Sequence, residues 1–280
     1  MSKIAVGSAL VRRLLQKGQR VRVATRTPPE GRGDAGIDHV RCDLADALSL
    51  DAAFEGIERA MLITPLSPVE TQLGLNAVRA AVAARVRRIV YMTVHALPSA
   101  PQVPHFASKT PIVDAIRQSD LAYTLIEPNN FFQNDLAMAD SIRRLKIYPQ
   151  PIGGVGISRV DARDVADAAA NALLDSGHEG QAYPLVGPAA LTGEAVARIY
   201  SERLGHAVRY GGNDLDAWAR DAAKTLPGWL RDDLRTMYAH FQHSGLIASD
   251  EDLALAPRIL GRPPRALAQF VDEVFVPQAA

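Results

Sequence analysis

The chain has a single cysteine, Cys42, in 280 residues. That scarcity rules out an intrachain disulfide and any metal site built from thiolates alone. It also lacks an excess of either charge, with Lys+Arg and Asp+Glu at 31 each. Nucleic-acid binding by bulk charge needs a clustered surplus of cations, so no nucleic-acid partner is expected. The small basic cluster Arg85, Arg87 and Arg88 lies in a turn before an apolar strand and reads as a solvated connection. No apolar run approaches the roughly 18 residues of a membrane span. Nothing near Met1 has the pattern of a signal peptide, and a cytoplasmic location is the expectation. Neither a Gly-x-Ser-x-Gly elbow nor a Walker glycine–lysine pair occurs. His240 and His243 stand at helical i,i+3 spacing without a third ligand signal. They read as two solvent-facing histidines, and no metal is expected.

What the chain does contain is an alternation of short apolar strands with amphipathic helices. Strands are expected at Val21–Thr25, Ala60–Thr64, Ile89–Thr93 and Ala122–Ile126. Helices are expected over Val69–Ala84, with Leu73, Ala77, Val78, Ala81 and Val82 inward, and over His105–Ser119, with Ile112, Val113 and Ile116 inward. Such a pattern predicts an α/β fold: a doubly wound, Rossmann-type parallel sheet covered on both faces, with its ligand site at the strands' C-terminal ends. After Pro128 the rhythm changes. A helix over Asn130–Leu145, a loop over Pro149–Gly156 and a helix over Asp161–Leu174 precede a strand at Gln181–Val186. Thr192–Leu204 reads as a helix capped by Thr192 and stopped by Gly205, with a short strand at Ala207–Tyr210. The organisation expected is a nucleotide-binding domain over 1–130 and 155–180. A smaller, mostly helical substrate part would comprise 131–154 and 181–280.

The beginning of the chain departs from that pattern. Ser2–Val6 reads as a first strand and Gly7–Lys17 as a helix ended by Gly18, yet nothing joins them. A strand-to-helix connection takes typically about 2–6 residues. In a dinucleotide-binding domain it is a glycine-rich turn whose amides hold the pyrophosphate. Two outcomes are open. If the turn is missing only from the sequence as written, a gap beyond the roughly 3.8 Å of a peptide-linked Cα pair is expected between Val6 and Gly7. A continuous, packed chain would instead remove the cradle and favour a cofactor-free scaffold or isomerase.

The order and spacing of several stretches resemble the NmrA-like family, an atypical branch of the short-chain dehydrogenase/reductase superfamily. They are GSALVRRLLQKGQRVRVATRTP, CDLAD, RRIVYMTV, PHFASK, YTLIEPNNFFQN, VDARDVADAAANAL, YPLVGPAALTGEAVARIYSERLG and GRPPRALAQFV. The resemblance covers nearly the whole chain. It implies either a flavin-free NAD(P)H-dependent reductase of azo compounds, quinones or related dyes, or a catalytically silent NADP sensor that works through a protein partner. The first implies a small aromatic substrate and neither flavin nor metal.

Residue by residue, the resemblance places a glycine turn where Val6 meets Gly7, so Gly7 would border the cofactor. Thr25 and Arg26 end the second strand, and no Asp or Glu lies between Val21 and Pro29. A cation and a hydroxyl there suit a 2′-phosphate and favour NADPH over NADH. A solvated surface arginine is the other reading of Arg26. Asp43 and Leu44 resemble the adenine-contacting step, although an Asp after a strand also caps helices. Thr64 and Pro65, and later Pro128 and Asn129, stand at strand ends expected to face the cofactor. Lys109 matches the family lysine that holds the nicotinamide ribose, and Thr93 matches its catalytic hydroxyl position. His105 occupies the place of the usual tyrosine. It reads as a proton donor near neutral pH or as a helix cap. Phe131 and Phe132 offer an aromatic wall for the substrate, with core packing as the alternative.

Overall fold

The computed structural model describes residues 2–29 and 35–276. The elements follow in chain order as α1 (Ser2–Gln16), β1 (Val21–Thr25), β2 (Ile37–Arg41), α2 (Ala47–Phe54), β3 (Arg59–Leu62), α3 (Glu70–Ala83) and β4 (Arg88–Met92). Next come α4 (Pro104–Ala107), α5 (Thr110–Gln118), β5 (Ala122–Pro128), β6 (Ile147–Tyr148), α6 (Ala162–Leu174), β7 (Gln181–Leu185), α7 (Gly193–Leu204) and β8 (Arg209–Tyr210). Helices α8 (Leu215–Ala222), α9 (Gly228–Ser244), α10 (Asp250–Leu260) and α11 (Leu267–Val274) complete the chain.

β3, β4, β5 and β7 form one sheet in that order, with every pair parallel. Alternate residues of β4 serve opposite faces, as the two-residue period of a strand requires. Ile89 and Tyr91 join Ala77, Val78, Ala81, Ile112 and Ile116 of α3 and α5. Val90 and Met92 join Leu10 and Leu14 of α1 and Val165, Ala169 and Leu173 of α6. The fold is thus α/β with a parallel sheet covered by helices on both sides. A third core lies in the C-terminal half, where Phe132, Tyr148, Tyr200, Phe241, Phe270 and Phe275 pack together. At its centre the guanidinium of Arg159 donates to Asp135 at 2.8 and 3.0 Å, with both side chains wholly buried.

The first strand is the main correction. Ser2–Val6 is helical, and α1 runs without a break through Val6 and Gly7, so the expected gap is not there. The reason is visible in the spacing: Val6, Leu10 and Leu14 fall at i, i+4 and i+8, and all three are buried on one face. Gly7 and Ser8 between them are tolerated inside the helix, and the helical period extends backwards. The consequence is topological. Among the described residues β1 pairs only with β2, in a two-stranded sheet separate from the four-stranded one. Ala24 of β1 is accordingly exposed.

Smaller differences have local causes. The helix expected over His105–Ser119 is broken into α4 and α5 at Ser108–Lys109, just before Pro111 in the first turn of α5. The stretch expected as a helix over Asn130–Leu145 is a 3₁₀ segment (Phe132–Met138) followed by one wide turn (Ser141–Leu145). Val82 points outward, 42% exposed. β2, α2 and β6 lie outside the sequence expectations. Arg88 is not solvated: it donates to the carbonyls of Ala172 and Leu173 at the end of α6 and pairs with Glu179. His240 is buried and accepts from the Gln102 amide at 3.0 Å, and burial pushes its pKa down.

Candidate functional site

Parallel pairing brings the ends of β3, β4 and β5 to one edge, and the expected site residues follow from that register. Thr64 and Pro65 lie just beyond β3, Thr93 and His95 just beyond β4, and Pro128 and Asn129 at the end of β5. Thr25 and Arg26 end β1, in the separate two-stranded sheet.

Behind this edge is a dry polar cluster. The Lys109 ammonium donates to Glu70 and, at 3.4 Å, to the Thr64 hydroxyl. Thr64 donates to the same carboxylate at 2.5 Å, and the Ser108 hydroxyl donates to its other oxygen at 3.1 Å. The Tyr91 hydroxyl lies 3.4 Å from Thr64, and burial pushes its pKa up. A second cluster forms on His95. Asn129 donates its amide to His95 Nδ1 at 3.0 Å, so Nε2 carries the hydrogen and donates to Asp252 at 3.1 Å. Asn129 also donates to the Leu246 carbonyl at 2.9 Å, which ties the loop before α10 to the end of β5. Beside it, burial pushes Glu127 up to about 7, with Arg117 opposing and Asp252 reinforcing the shift.

His105 is held from the C-terminal half: its Nδ1 lies 2.5 Å from Asp233 of α9. Two buried hydroxyls have no partner among the described residues, those of Thr25 and Thr93. Thr93 is 3% exposed, so its free hydroxyl is a buried group awaiting a partner.

The remaining expectations separate. Asp43 accepts from the Ala45 amide at 3.0 Å, and the helix cap is Asp46. The Leu44 carbonyl accepts from Asn76 at 2.9 Å. Phe131 and Phe132 do not form one wall. Phe132 is 1% exposed and packs 5.8 Å from the Phe270 ring, so its faces are turned to the core, while Phe131 is half-buried against the other cluster. Sequence reasoning passed over Glu70, His95, Asp233 and Asp252. An acid in a first helical turn reads locally as a complement to the helix dipole, and nothing in the WLRDDLRTM stretch marks Asp233 for a partner 128 residues away.

A dinucleotide can be tested against these residues. They fit at its two ends, where the unpartnered Thr25 and Thr93 hydroxyls stand at strand termini. At its centre, Gly7, where a glycine turn was expected, lies within a helix instead.

Comparison with known proteins places the chain. The model of the NmrA-like family matches residues 5–259. An NAD(P)H azoreductase of Xenophilus azovorans is 32% identical over 275 residues, covering 95% of this chain and 93% of that protein. A (4-alkanoyl-5-oxo-2,5-dihydrofuran-3-yl)methyl phosphate reductase of Streptomyces griseus is 31% identical, covering 96% and 94%. Among solved structures, an NADPH-dependent quinone oxidoreductase of Escherichia coli complexed with NADPH superimposes with a TM-score of 0.86 over 97% of this chain and 96% of that one. At 24% identity that last likeness speaks to fold alone. The matched span, the full-length relatives and the parallel sheet agree: the chain belongs to the NmrA-like family.

Proposed function

We infer that the chain is an NAD(P)H-dependent oxidoreductase. We propose, more narrowly, an NADPH-dependent, flavin-free reductase of bulky aromatic electrophiles: azo compounds, quinones or related dyes. The observation that carries this reading is the likeness to an NAD(P)H azoreductase along 95% of the chain. The free hydroxyls at the ends of β1 and β4 support it. In this reading Arg26 and Thr25 hold the 2′-phosphate, and Thr93 and Lys109 stand on the nicotinamide side. When bound, the nicotinamide supplies the hydride. The chain's own work is to orient the substrate, exclude water and deliver a proton from His105. The test is NADPH consumption against a panel of azo dyes, quinones and triarylmethane dyes, with turnover of at least one expected. Binding of NADPH without turnover would point instead to a redox-sensing regulator that acts through a protein partner.

A second reading has its own support. The unbroken helix across Val6–Gly7 favours a cofactor-free scaffold or isomerase. It predicts no response in an NADPH titration followed by nicotinamide fluorescence, and saturable binding would overturn it.

A further inference from the structure

His105 and Asp233 come from opposite halves of the chain, α4 and α9, and meet at 2.5 Å through Nδ1 and one carboxylate oxygen. The carboxylate side chain is 6% exposed and the imidazole 16%. A carboxylate only accepts, so Nδ1 carries the shared hydrogen and Nε2 is left as the second working atom. Among the described residues nothing bonds Nε2. The imidazole stands edge-on to the Phe106 ring, 4.8 Å between centroids, which fixes its plane as well as one of its nitrogens. On α9, Arg231 pairs with Asp232 and Arg235 with Asp216, and His240 accepts from Gln102; just after α4, Lys109 is closed on Glu70.

We propose that Asp233 is the positioning residue of a proton-transfer centre whose working atom is His105 Nε2. Asp233 holds the ring by Nδ1, keeps one tautomer and stabilises the imidazolium when it forms. In the transfer, the Nε2–H bond breaks while an N–H or O–H bond forms on a lone pair of the reduced substrate. The electron pair of the broken bond stays on Nε2. The ring is left neutral with Nδ1–H still on Asp233, and water returns the proton to Nε2. The nature of the acceptor rests on the reductase reading; the centre itself does not, because an isomerase would need the same acid and base.

Two measurements on the full chain test this. Nitrogen-15 NMR of the histidine rings, assigned with His105→Gln, should show His105 in the Nδ1–H tautomer, and Asp233→Asn should shift it toward Nε2–H. In turnover of whichever dye or quinone the protein reduces, Asp233→Asn should lower kcat by about 10- to 100-fold, within the range expected of general acid–base catalysis. KM should stay within about twofold. Asp233→Glu should recover part of the loss, as a packing role for Asp233 would not allow. A wild-type Nε2–H tautomer, or an Asp233→Asn variant with kcat unchanged, overturns the proposal. If Asp233→Asn fails to fold, the wild-type tautomer and the Asp233→Glu kinetics still decide. Should the wild-type protein reduce no electrophile, the reductase reading fails, while the tautomer measurement still judges the dyad.

Discussion

Lys109 and Glu70 form an ion pair from which water is shut out: their side chains are 5% and 0% exposed. The family lysine expected to reach a ribose is therefore committed to a carboxylate on α3. Removing one partner of a buried pair strands the other charge, at a cost of about 3–5 kcal/mol. Lys109→Met and Glu70→Gln should each lower the urea midpoint strongly. The double variant should be less unstable than the sum of the two. Additive losses would mean that the pair is not coupled.

Gly7 gives a direct test of the first helix. A Cβ built there meets nothing within 4 Å, and the residue lies inside α1. Gly7→Ala should therefore stabilise the protein by about 0.5–1 kcal/mol, the usual gain from removing glycine from a helix interior. A loss of stability together with a loss of NADPH affinity would show Gly7 to be part of a phosphate-binding turn.

Arg26 is exposed beside the free hydroxyl of Thr25. If these two hold a 2′-phosphate, NADPH should bind more tightly than NADH by roughly ten- to hundredfold, the worth of one charge-assisted contact at about 1.5–3 kcal/mol. Arg26→Ala should erase most of that preference. Equal affinities in the wild-type protein would remove Arg26 and Thr25 from the site.

Glu127 should leave a mark on stability against pH. Its pKa rises from 4.5 to about 7 because burial disfavours the charged form. Between those values the folded protein keeps a proton that the unfolded chain has lost, so stability falls as pH rises through this window. At about 1.4 kcal/mol per pH unit the loss is at most about 3.5 kcal/mol. Urea unfolding at pH 5 and pH 8 should show the wild type weaker at pH 8, by an increment that Glu127→Gln abolishes. The same pH dependence in that variant would assign the effect elsewhere.

The sequence by itself determined the parallel α/β architecture, because strand and helix periods are written in local spacing. β1 emerged with its predicted bounds Val21–Thr25, and α7 with its Thr192 cap and Gly205 stop. It also determined which residues reach one edge of the sheet, since parallel register carries Thr64, Thr93 and Asn129 to the same ends of neighbouring strands. Three apolar residues at the start, Ile4 to Val6, were too few to separate strand from helix. There the packing of Val6 with Leu10 and Leu14 decided for helix, and with it the division of the sheet. Tertiary structure alone decided partnerships. Phe132 went to the core rather than to a ligand, Lys109 to Glu70 and His105 to Asp233. Such pairings join residues up to 128 positions apart. No local pattern encodes them, because they depend on how whole elements dock and on which polar groups are left needing a partner once water is gone.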